Sequence, residues 1–90
     1  MDNTARIEKM QGLLKEAFDP VTLEIDDQSH LHAGHAGAKE GKGHFQVDIV
    51  ADAFEGKSLI QRHRLVYAAL GDMMDTDIHA LIINALPPGS

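Results

Sequence analysis

Residues 58–84 read SLIQRHRLVYAALGDMMDTDIHALIIN, and this passage decides the fold. Ser58 followed three residues later by Gln61 is a capping box, in which the serine hydroxyl accepts from the Gln61 backbone and the glutamine side chain reaches back. The box predicts a helix running from Ser58 to about Met73, with Gly71-Asp72 as its frayed end. At about 100° per residue, Leu59, His63, Val66 and Leu70 fall within about 60° of one another, with Ile60 and Tyr67 beside them. That stripe predicts a buried His63. After an acidic turn over 72–77, His79-Ala80-Leu81-Ile82-Ile83-Asn84 is short and apolar on both faces, the pattern of a strand packed on two sides. Pro87-Pro88 ends it.

Upstream, residues 44–50 alternate, with Phe45, Val47 and Ile49 directed to the core and His44, Gln46 and Asp48 directed away. A strand–helix–strand passage of this length implies a right-handed crossover, so this strand and the last one run parallel. Residues 21–26 alternate in the same way, with Val21, Leu23 and Ile25 on one face. The two strands are joined by residues 27–43, which hold four glycines and three of the six histidines and show no apolar period. The expectation is a long mobile loop between antiparallel strands. The N-terminal stretch carries Ile7, Met10, Leu13, Leu14, Ala17 and Phe18 at helical spacing, with Asn3 or Thr4 as cap and Asp19-Pro20 as stop. The order is helix, strand, strand, helix, strand: an α/β (α+β) chain with a three-stranded mixed sheet and helices packed on one side.

Ninety residues allow one domain, 1–90, and leave little room for an enclosed substrate cavity. Eight Lys and Arg against fourteen Asp and Glu give a net charge of −6, which opposes non-specific attraction to nucleic acid. There is no cysteine, so disulfides, thiolate metal sites and cysteine nucleophiles are excluded, and an iron–sulfur cluster would need sulfur ligands from elsewhere. The longest apolar stretches, 65–70 and 80–83, are far shorter than the roughly 18 residues that span a bilayer. The expectation is a soluble cytoplasmic protein with no membrane partner. No Ser–His–Asp set or paired carboxylates stand out, so neither an enzyme nor a small-molecule substrate is expected.

Gly34-His35, His44-Phe45, Phe54-x-Gly56, Arg62-His63-Arg64-Leu65-Val66-Tyr67 and Ile78-His79-Ala80-Leu81 together resemble the BolA family, over roughly residues 5 to 86. The resemblance implies an α-β-β-α-β fold like the class II KH domain. It also implies a partnership with monothiol glutaredoxins through a bridging 2Fe-2S cluster. The partner's cysteine and a glutathione would supply sulfur, and the BolA-like chain would supply a loop His or Cys and the His before Ala-Leu on the last strand. Those positions match His35 and His79 here. The isolated chain would then hold no cluster tightly, and its role would be iron–sulfur trafficking or iron sensing. The family also carries a reading as transcriptional regulators, which makes DNA the alternative partner.

Imidazole chemistry is compatible with this implication, because two neutral histidines replace two thiolates on one iron in Rieske centres. By pattern alone His79 is a polar residue at a strand entrance and His35 a solvated loop residue; the resemblance turns both into ligands. His30 and His32 lie close enough to His35 to substitute for it. His44 is assigned no chemistry. For nucleic acid, the candidates are Lys57, Arg62 and Arg64 in the segment 54–70, which resembles a helix-turn-helix in outline. Arg62 and Arg64 stand about 200° apart around the helix, so they form no single phosphate-binding stripe. The turn Gly56-Lys57-Ser58-Leu59 also lacks the second glycine of the Gly-x-x-Gly loop that clamps single strands in KH domains.

Overall fold

The computed structural model describes residues 3–28 and 43–89. The elements are α1 (Asn3–Phe18), β1 (Thr22–Asp27), β2 (Gly43–Val50), a 3-10 turn (Asp52–Phe54), α2 (Leu59–Leu70), a one-turn α3 (Met73–Thr76) and β3 (Ile78–Leu86). β2 is central, antiparallel to β1 and parallel to β3, as the crossover argument requires. α1 stops where Asp19 takes a left-handed φ of 46°, a conformation that aspartate tolerates better than most residues.

Alternation along β2 sends Phe45, Val47 and Ile49 into the core, where they meet Met10 and Leu14 of α1 and Val66 and Leu70 of α2. Phe54 is fully buried beside them, its ring 5.0 Å from that of Phe18 and tilted by 43°. The opposite face of the sheet carries Glu24, Asp26, Gln46, Asp48, Ile82 and Asn84. A polar ladder crosses it: Gln28 Nε2 donates to Gln46 Oε1 at 2.9 Å, Gln46 Nε2 to Asp48 Oδ2 at 3.2 Å and Asn84 Nδ2 to Asp48 Oδ1 at 2.8 Å.

Three expectations are corrected. β3 is an edge strand with Ile82 51% exposed and Leu86 42% exposed, so it is packed on one face only. A short apolar run has the same composition whether it lies at the centre or the edge of a sheet. The second helix ends at Leu70, because Gly71 adopts a positive φ of 55° while its N–H closes on Tyr67 O at 2.9 Å; Met73–Thr76 then forms a separate turn with Met73 buried. Finally, the stripe on α2 narrows to Val66 and Leu70, while Leu59 and Ile60 are more than 60% exposed and His63 is half-buried. The capping box holds that first turn in place of burial, with Ser58 N–H donating to Gln61 Oε1 at 2.8 Å and Gln61 N–H to Ser58 Oγ at 3.2 Å.

Candidate functional site

His79 is the second residue of β3, at an irregularity in the ladder. Gly43 pairs with Ile78 but the next residue, His44, pairs with Ala80, so His79 is the extra residue of a bulge. Bulges turn a side chain out of the regular alternation, and here the imidazole is exposed between the buried Ile78 and the sheet face. Its ring lies 5.0 Å from that of His44, tilted by 56°. His44 points away from the core as expected, yet it is only 5% exposed, so it is a buried residue of this end of the sheet and not a surface histidine. Sequence reasoning missed this pairing of rings. The signal was available in the parallel register, which starts both strands at the same level.

The backbone beneath His79 is fixed from three directions. Arg6 of α1 places Nε 3.3 Å from Asp77 Oδ1, with the two side chains 11% and 15% exposed. Gly43 N–H donates to Asp77 O at 2.9 Å, and Thr76 Oγ1 donates to Asp77 Oδ2 at 3.2 Å. Breaking a buried pair by deleting one partner costs roughly 3–5 kcal/mol, and partial solvent access lowers this. Asp77→Ala is therefore expected to cost about 2–3 kcal/mol in urea unfolding.

His35, with His30 and His32, lies outside the described residues. Among the described residues no group of three or more His, Cys, Asp or Glu side chains is assembled to hold a metal ion. The exposed imidazole of His79 can offer one nitrogen to a metal ion.

The basic candidates separate. Arg62 Nε donates to Lys57 O at 3.0 Å and its Nη1 to Ala85 O at 3.2 Å, so the guanidinium pins the start of α2 to the end of β3. Arg64 is exposed and lines an open groove with Lys57, Gln61 and Leu65. Among the described residues no helix is long and apolar enough to cross a membrane.

The sequence profile described as BolA-like protein matches residues 14–90. SufE-like protein 1, chloroplastic/mitochondrial, of Arabidopsis thaliana is 48% identical over 85 residues, which is 89% of this chain and 23% of that protein. Protein BOLA1, chloroplastic, of the same plant is 45% identical over 86 residues, covering 92% of this chain and 54% of that one. The chain thus spans about a quarter and about half of those two relatives. The DNA-binding transcriptional regulator BolA of Escherichia coli (strain K12) is 38% identical over 77 residues, covering 86% of this chain and 70% of that protein. Among solved structures, the BolA domain of SufE1 from Arabidopsis thaliana has a TM-score of 0.82 at 46% identity, covering 92% of each chain.

Proposed function

Because the chain belongs to the BolA-like protein family, we propose that it is a non-enzymatic partner of a monothiol glutaredoxin. In this reading it co-ligates a bridging 2Fe-2S cluster, with glutathione completing the sulfur ligands, for iron–sulfur trafficking or iron sensing. The observation that carries the reading is the exposed His79 imidazole on a backbone locked by the Arg6–Asp77 pair, in a chain that has no thiol of its own. His79 supplies one nitrogen from the rigid sheet and His35 a second from the 27–43 segment. When bound, the cluster is cargo or signal, and the chain's residues orient it and limit where it can go. Action in the cytoplasm belongs to the same proposal; the names of the two Arabidopsis relatives refer those proteins to chloroplast or mitochondrion.

Reconstitution tests this reading. After treatment with iron and sulfide the chain alone should remain colourless, because it offers no thiolate, and should acquire cluster absorption only when glutaredoxin and glutathione are added. A stable coloured protein formed without them would end the proposal.

A second reading, DNA binding, is favoured by the name of the Escherichia coli relative and by the groove that Lys57 and Arg64 share. Arg62 is engaged with Lys57 O and Ala85 O, and the chain carries a net charge of −6. Binding to a random duplex should therefore be weak and should collapse with modest salt. Sequence-selective retention near physiological salt would support the second reading over the first.

A further inference from the structure

The two edges of the sheet are built differently. β1, Thr22–Asp27, carries Glu24, Asp26 and Asp27, and such charges blunt an exposed edge. β3, Ile78–Leu86, carries no charged residue and no proline, yet it is the opposite edge. Its most exposed large side chain is Ile82, at 51%. An uncharged, proline-free edge is a template for another strand.

The backbone also says how much of β3 is open. Ala51 N–H donates to Leu86 O at 3.1 Å, so the Leu86 carbonyl faces β2, and alternate residues Ala85, Ile83 and Leu81 face the outer edge. Ala85 O is already taken by Arg62 Nη1 at 3.2 Å, which closes the edge at that point. At the other end the bulge at His79 breaks the regular ladder. The open window is 80–84, closed at 79 and at 85, and its centre is Ile82.

We propose that this window pairs with the same window of a second copy of the chain, the two β3 strands running antiparallel about a two-fold axis at Ile82. A window closed symmetrically about one residue is self-complementary, as an isologous interface requires. Leu81 and Ile83 exchange backbone hydrogen bonds with Ile83 and Leu81 of the second copy, Ala80 lies opposite Asn84, and Ile82 lies opposite Ile82 with its side chain on the open face. No like charges meet. The contact is small, so association is weak, and the −6 carried by each copy makes it stronger at raised salt.

The absence of cysteine makes the test direct. In the full-length chain, without glutaredoxin, Ile82→Cys places two thiols in a non-hydrogen-bonded antiparallel pair, where side chains are closest. Mild oxidation at raised salt should link it roughly tenfold or more faster than Leu59→Cys, a still more exposed position on α2, because pairing raises the effective thiol concentration. Sedimentation velocity should show a concentration-dependent dimer for the unaltered chain, lost in Ile82→Lys, whose circular dichroism reports whether it is folded. Should Ile82→Lys fail to fold, the cysteine comparison decides. The proposal is overturned if the unaltered chain stays monomeric across the concentration range, if folded Ile82→Lys dimerises equally well, or if Ile82→Cys links no faster than Leu59→Cys.

Discussion

In a mixed complex with a cluster-loaded monothiol glutaredoxin, His79→Ala is expected to lose the cluster at least about tenfold faster than the unaltered chain, since even outer-shell changes at metal sites cost about 10–100-fold. Rigidity is what makes His79 hard to replace. His79 stands on a bulge whose neighbours are held by the Arg6–Asp77 pair and the Gly43-to-Asp77 hydrogen bond, so no adjacent residue can swing into its place. His44 is beside it but buried. His35→Ala should be milder, because His32 and His30 lie three and five residues away on the same glycine-containing segment and can substitute. Since His79 is exposed, its removal should cost only about 1 kcal/mol in unfolding free energy, chiefly the lost ring contact with His44. Cluster lifetime, followed by visible circular dichroism, is thereby separated from fold loss. An unchanged lifetime in His79→Ala would refute the ligand assignment while leaving the family membership intact.

Phe54→Ala should be the most damaging of the core truncations, costing about 3–5 kcal/mol. Phe54 is fully buried on a 3-10 turn between β2 and α2, and its ring packs on Phe18 at the end of α1. One side chain therefore fastens the crossover connection to the N-terminal helix, and its truncation leaves a cavity at that joint. A domain of this size has a total stability of roughly 5–13 kcal/mol, so the loss is a large fraction of the whole. Thermal melting should fall by about 12 °C or more, given roughly 4–8 °C per kcal/mol at this length. A Phe54→Leu variant, which keeps most of the volume, should recover much of it. A shift of only a few degrees in Phe54→Ala would contradict the packing described above.

The element order and the mixed sheet were legible because two periods, helical in α1 and α2 and two-fold in β1 and β2, are carried by separate stretches with clear breakers between them. The capping box at Ser58 and Gln61 was legible from two residues alone. What escaped depends on neighbours in space. His-Ala-Leu-Ile-Ile has the composition of a buried strand, and only the strand order reveals that β3 is an edge. Leu59 and Ile60 look like core on a helical wheel, yet both are more than 60% exposed on the first turn of α2. Arg62 stood among the candidate nucleic-acid contacts, but its guanidinium closes the end of β3. For the site, the motif Ile-His-Ala-Leu pointed to His79, while the bulge that exposes it and the buried His44 ring beside it appear only once the parallel register is known. His35 falls outside the described residues, so its part in the site rests on the family resemblance.

The claim that this chain contributes nitrogen to iron is tested most directly by labelling. The chain is prepared with its histidines enriched in nitrogen-15, mixed with unlabelled cluster-loaded glutaredoxin and glutathione, reduced, and studied by pulsed electron paramagnetic resonance. Strong nitrogen couplings to the cluster that change with the label are expected in the unaltered chain, and weaker ones in His79→Ala. A mixed cluster whose nitrogen couplings are absent, or are identical with and without the label, would contradict it.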